Sequence, residues 1–230
     1  MADQTVTPHV PTQGGPPLAD TSDMAQVHQV FRQAIAAAPR YVGSATARGP
    51  ERVELVASYY DNVLHMLAAH HDSEDTLIWE RLCERAPEQA DEVRRVASQH
   101  HGVTEALDVA FQRIADWRVS PTEDTAAAAA GSISELGAAL LPHLDEEEAF
   151  IVPLAAQHIY APEWGELPSH SMQHFAGDKI WLILGLVREQ MRSEQIAMME
   201  EHMPPPALQM WQNVGQQAFT DFVGALRADD

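Results

Sequence analysis

The chain has 230 residues, 45% of them hydrophobic, with 34 Asp and Glu against 14 Lys and Arg and a formal net charge of -20. That length supports one sizeable core, or one domain with a substantial extension. The acidic balance argues against a nucleic-acid partner and an anionic membrane surface, since both need a basic footprint, and it is compatible with solubility and cation binding. The single cysteine, Cys83, leaves no internal disulfide and no thiolate cluster for zinc or iron–sulfur chemistry. The N-terminus lacks a basic region followed by an apolar run, and the longest strongly apolar stretch, 180–187, is too short to span a bilayer. The expectation is a soluble cytoplasmic protein.

Residues 1–20 are rich in Pro, Gly and polar side chains and read as a disordered or loosely held arm; His9 within it has no assigned role. Ser22 or Asp23 is placed to cap a first helix running to about Ala38, with Met24, Val27, Phe31 and Ile35 at helical spacing and Pro39 ending it. Residues 39–50 read as a connection. A second helix is expected from about Glu51 to Arg85, its stripe running Val53, Val56, Tyr60, Val63, Leu67, His70, Glu74 and Leu77, before Pro87. A third spans about Glu88 to Arg118, with Val93, Val96, His100, Val103, Leu107, Phe111 and Ile114 on one face. Ser120, Pro121 and Glu123 form a start signal for a fourth helix reaching about Ile159, kinked by Pro142 just before His143. Four helices with short loops imply an all-α, up-down-up-down bundle over residues 21–160. Residues 161–230 read as about three further helices (169–191 with an interruption near Gly177, 194–203 and 207–227) packed against the bundle. Seventy residues make a marginal core alone.

The chemistry starts from an internal echo. Residues 70–78 read HHDSEDTLI and residues 143–151 read HLDEEEAFI. His70 with Glu74, and His143 with Glu147, each stand at i, i+4 and share the apolar face of their helix. Ionised Glu does not belong in a bundle core unless something cationic pairs with it, and a metal ion is such a partner. His28 lies among Met24, Val27 and Phe31, and His100 lies between Val96 and Val103. A lone His on an apolar face is more often a hydrogen-bonded core residue; four helices each presenting one, two with a Glu beside it, point instead to a metal site. Four imidazoles and two carboxylates suit two first-row transition ions, iron being the usual choice and manganese or zinc alternatives.

The order His28, then His70-x-x-x-Glu74, then His100, then His143-x-x-x-Glu147 resembles the hemerythrin-like, or HHE cation-binding, family over roughly residues 20–160. The resemblance implies an oxo- or hydroxo-bridged di-iron centre, with the four histidines as terminal ligands and Glu74 and Glu147 bridging. It implies reaction with, or sensing of, oxygen, peroxide or nitric oxide. The segment WLILGLVREQM at 181–191 resembles C-terminal extensions of some actinobacterial members. Two departures stand out. Oxygen carriers have a second His four residues along the third helix, where this chain has Thr104, and they end in His-x-x-x-x-Asp. One fewer His would leave more open coordination and favour reactivity or sensing over oxygen storage.

His71 and His101 adjoin the chosen ligands, but one residue turns a side chain about 100° off the stripe, so His70 and His100 are preferred and the neighbours are expected to be outer or solvated. Tyr60 is read as core and His65 as pointing away. His158, His170, His174 and His202 are read as surface or capping residues, with His170 and His174 a minor metal-adsorbing pair. A ferritin-like site needs Glu-x-x-His, a zinc protease His-Glu-x-x-His and a hydrolase elbow Gly-x-Ser-x-Gly, and none of these is present. The live alternatives are a peroxide- or nitric-oxide-processing enzyme, an iron, oxygen or redox sensor or storage module without turnover, and a metal-free structural bundle, which would leave two core carboxylates unpaired. Substrate, redox partner and oligomeric state are not encoded in these patterns.

Overall fold

The computed structural model describes residues 15–228. Among these no strand forms, apart from one isolated antiparallel bridge between Leu18 and Tyr160. The bundle consists of α1 (Met24–Ala45), α2 (Pro50–Leu77) continued after a break by α3 (Trp79–Arg85), α4 (Ala90–Val119), and α5 (Glu123–Glu146), which runs through a π-turn at Glu147–Ile151 into α6 (Val152–His158). Beyond it lie α7 (Ala161–Trp164), α8 (Glu166–His174), α9 (Ile180–Glu189), α10 (Ser193–His202) and α11 (Pro205–Met210), the last leading through a second π-turn into α12 (Gln216–Arg227). None of the described helices is long and apolar enough to cross a membrane.

Two buried apolar clusters lie on either side of a polar layer and fix the chain directions. On α1 the order is Met24, then His28, then Phe31; on α4 it is Val96, His100, Val103. Met24 and Val96 belong to one cluster, Phe31 and Val103 to the other. On α2 the order reverses, from Leu67 through His70 and Glu74 to Ile78, and on α5 it runs from Leu140 through His143 and Glu147 to Ile151. Helices α1 and α4 therefore run one way and α2 and α5 the other, which is the expected up-down-up-down arrangement.

Several boundaries differ from the sequence reading. Helix α1 continues through Pro39 to Ala45, because Tyr41, Val42 and Ala45 beyond it are all buried in the core. That burial outweighs a proline penalty of about 3 kcal/mol. The Tyr60 hydroxyl also donates to the Ala34 carbonyl at 2.9 Å, buttressing α1 just before the proline. The expected connection shrinks to a 3-10 turn, Thr46–Arg48, and Gly49, whose φ of 97° suits glycine; Pro50 then opens α2.

The N-cap of α5 is Thr122, not Ser120. Thr122 and Thr125 exchange side-chain and backbone hydrogen bonds, while Ser120 closes α4 through its N–H to the Asp116 carbonyl. Helix α5 keeps α-geometry through Pro142, whose missing N–H frees the carbonyl of solvent-exposed Ala138. The break in register comes instead at Glu147, where the Val152 N–H reaches back five residues to the Glu147 carbonyl. It ends one residue before Pro153, which breaks the α-ladder in any case. In α2 the matching irregularity falls at Ile78, so both echo segments end in a buried isoleucine at a helix discontinuity.

The C-terminal helices pack into the same core. Leu182 and Leu186 of α9 and Val223 and Leu226 of α12 join the cluster that holds Phe31 and Leu67. Asn62 of α2 ties the 178–179 turn down, donating to Asp178 at 2.9 Å and accepting from the Lys179 N–H at 2.8 Å. Arg52 donates to the Ala225 and Leu226 carbonyls at 2.7 Å each, satisfying the end of α12. The expected first segment, 169–191, is split between α8 and α9, and Pro168 sits in the first turn of α8, where no N–H is needed. Within the stretch expected to be a loose arm, the Ala19 N–H donates to the Ile159 carbonyl and Pro17 accepts from the Ala161 N–H, at 2.9 and 2.8 Å. His9 lies outside the described residues.

Candidate metal centre

All six residues singled out from the sequence are buried and meet in the polar layer. His28, His70, Glu74, His100, His143 and Glu147 are between 0% and 8% exposed. They are not alone there. His71 is 4% exposed and stacks on His100, with ring centroids 4.0 Å apart and planes 14° apart.

The donor atoms form two groups, His28, His70, Glu74 and Glu147 in one and His71, His100 and His143 in the other, each compact enough to hold an ion. The carboxylates reach both. Glu74 sets Oε1 3.2 Å from His70 Nε2 and Oε2 3.6 Å from His100 Nε2. Glu147 Oε2 lies 3.4 Å from His28 Nε2 and 3.6 Å from His143 Nε2. Across each group the imidazoles face one another through Nε2, at 3.3 Å for His28 and His70 and 3.1 Å for His100 and His143.

The far sides of the rings explain the rest of the echo. His28 Nδ1–H donates to Glu148 at 2.8 Å, and His100 Nδ1–H donates to Asp75 at 2.7 Å. In each repeat the acid following the core glutamate therefore orients a histidine on a neighbouring helix. Asp75 is steadied by the Trp79 indole N–H at 2.8 Å and Glu148 by Arg32 at 3.0 Å. His143 Nδ1–H donates to the Gln99 side-chain oxygen at 3.0 Å, and Gln99 in turn donates to Glu146 at 2.8 Å. With Nδ1 protonated, the Nε2 lone pairs of these three rings point inward, the tautomer a metal ligand requires.

Metal fit was tested on polar satisfaction. Glu74 Oε1 and Oε2, Glu147 Oε2 and His71 Nε2 are buried without a hydrogen-bond partner among the described residues. Four orphaned acceptors in one layer are costly, and cations held by the two groups would satisfy them. The electrostatics agree in direction. Burial, and then the neighbouring Glu147, hold the Glu74 carboxyl well above its usual range. Burial, followed by the adjacent imidazoles, pushes His70 and His71 well below 6.5 and His143 down to about 3. His70, His71 and His143 are thus favoured as neutral donors, and a bound cation would favour the ionised form of Glu74 that burial disfavours.

The reading of His71 as an outer residue is corrected by this geometry. Helix α2 is packed by α1, α4 and α8, so adjacent faces of the helix are both interior at this level. His70 turns toward His28 and His71 toward His100 and His143. With His71 the buried layer holds five imidazoles where the sequence reading placed four. His101 is 83% exposed and pairs with Glu105 at 3.4 Å, as its off-stripe position predicts. Tyr60 is core, and His65 donates to the Asp61 carbonyl at 2.8 Å while packing on Phe111. Arg81 and Arg85 pair with Glu166 and Glu163 instead of entering the layer.

Comparison with known families agrees with this architecture: residues 19–159 match the hemerythrin HHE cation binding domain. Searches of curated proteins and of solved structures returned no match. The matched stretch covers more than half of the chain and contains every residue of the buried layer, so the chain belongs to the hemerythrin HHE cation-binding family.

Proposed function

We propose that the buried layer holds two iron ions and that the protein reacts with, or senses, a small ligand: oxygen, peroxide or nitric oxide. The observation that carries this reading is the division of Glu74, with one oxygen facing His70 and the other facing His100. A carboxylate set between two imidazole groups suits a bridge between two ions rather than a ligand to one. His28 and His70 would hold one ion, His71, His100 and His143 the other, with Glu74 and Glu147 shared. A di-iron pair supplies one-electron redox chemistry and an open position for a small ligand.

The chain's own residues determine where that ligand fits. The pair His28 and His70 offers one imidazole fewer than the opposite group, so a small ligand would find room beside these two rings. Phe31 packs against His70, with ring centroids 5.4 Å apart. Beside it Phe31, Ala34, Leu64, Leu67 and Leu140 contribute to the lining of a small apolar cavity. An apolar lining of that kind disfavours a charged group there. Asp75, Glu148 and Gln99 hold His100, His28 and His143 in the ligating tautomer, and the flanking apolar clusters exclude bulk water.

The test is spectroscopic. Iron-loaded, reduced protein is exposed separately to oxygen, peroxide and nitric oxide while its absorption is followed, and peroxide consumption is measured in parallel. A ligand-specific spectral change is expected with at least one of the three. Turnover would assign an enzyme, and a stoichiometric change without turnover a sensor or binding module. A spectrum unmoved by all three would overturn the proposal.

A further inference from the structure

A second set of metal-ligating side chains lies outside the buried layer. Asp72 of α2 and His170 and His174 of α8 place one donor atom each within 4.8 Å of one another. The two histidines stand at i, i+4 on α8 with ring centroids 4.0 Å apart. Asp72 Oδ2 lies 3.7 Å from Nδ1 of each ring. That is too long for a hydrogen bond, so the Asp72 carboxylate is not committed to either ring.

The surroundings favour a cation over a fortuitous pair. His174 Nδ1–H donates to the His170 carbonyl at 2.9 Å, which leaves its Nε2 lone pair for a ligand. His170 Nδ1 is also 3.2 Å from the Ser73 hydroxyl, and Ser73 is joined to Ser171 at 2.6 Å, so α8 is already seated on α2. In the second echo segment the residue matching Asp72 is Asp145, which pairs with Arg32 at 2.9 Å. Asp72 instead faces two imidazoles. Its side chain is 53% exposed and that of His174 50%, so both have room to adjust and water has access to complete the shell.

We propose that Asp72, His170 and His174 form a separate, solvent-facing site for one divalent transition-metal ion of the zinc, copper or nickel class. Two imidazoles and a carboxylate suit such ions. The site shares no ligand with the buried layer. Because its ligands come from two helices, an ion there clamps α8 onto α2 beside His70 and His71.

The experiment measures zinc bound by the iron-loaded full chain at equilibrium. Wild type is expected to take up one zinc per chain in addition to its iron, and the His170→Ala, His174→Ala double variant none, with iron content unchanged. His174→Ala alone is expected to weaken zinc binding by at least about tenfold. Zinc should also protect α8 from proteolysis in wild type and not in the double variant. If the buried layer takes zinc in place of iron, the difference of one zinc between wild type and the double variant still reads the outer site. Equal zinc uptake by the two proteins would overturn the proposal.

Discussion

Replacing Glu74 by leucine should stabilise the metal-free protein while abolishing its metal binding. In the ionised form both Glu74 oxygens are buried without a hydrogen-bond donor, and the residue is 1% exposed. Each unsatisfied buried polar group costs about 1–3 kcal/mol, and leucine is of similar volume. Allowing for imperfect repacking, the metal-free variant should gain about 2–4 kcal/mol, or roughly 4–16 °C in Tm for a chain of this size. The gain has a defined pH dependence. Burial raises the Glu74 carboxyl in the folded state, so the folded chain binds a proton that the unfolded chain releases above about pH 4.5. Wild-type stability is therefore lost as pH rises from there toward the folded-state value, by up to about 1.4 kcal/mol per pH unit, and leucine removes that loss. The advantage of the variant should widen as pH rises through that window. Urea unfolding of both metal-free proteins at several pH values, with iron content measured separately, is the assay. A Glu74→Leu protein less stable than wild type at every pH would show that the carboxylate is structurally supported without a metal, and the reasoning from orphaned oxygens would fail.

Three other predictions concern single positions. His71→Ala should lose at least one iron per chain, whereas His101→Ala, at a position 83% exposed, should load as wild type; equal loading of the two would remove His71 from the centre. Asp75→Ala leaves His100 without its Nδ1–H acceptor and should weaken metal affinity by about 10–100-fold, measured by chelator competition, with the helical content unchanged. A methyl group at Gly185 would overlap the Phe219 ring, so Gly185→Ala should destabilise the α9–α12 packing by about 1–3 kcal/mol in urea titration without altering iron content.

The bundle was legible because its apolar periodicity is interrupted, on each of four helices, at one level by a histidine. The six-residue set followed from that interruption and from the echo, and those residues do converge. The placement of His71 was missed because a single stripe was read where α2 carries two. Its buried residues come in adjacent pairs, Val56 with Ala57, Tyr59 with Tyr60, Val63 with Leu64 and Met66 with Leu67, and the pattern continues into His70 with His71 and Ser73 with Glu74. That double column is visible in the sequence and means burial against more than one partner, so adjacent histidines there both face inward. The extent of α1 was not legible from local rules, since only tertiary burial of Tyr41, Val42 and Ala45 carries the helix past Pro39. The π-turn at Glu147 was likewise hidden, because Pro142 was the more obvious irregularity and its freed carbonyl, on Ala138, faces solvent.

The most direct test of the central claim is iron per chain, with the absorption spectrum of the oxidised protein, for wild type and for the Glu74→Leu, Glu147→Leu double variant. Two irons per wild-type chain with bands of a bridged pair are expected, and neither irons nor bands in the variant. Folded wild type purified from iron-replete cells without stoichiometric metal, or with one mononuclear iron, would contradict it.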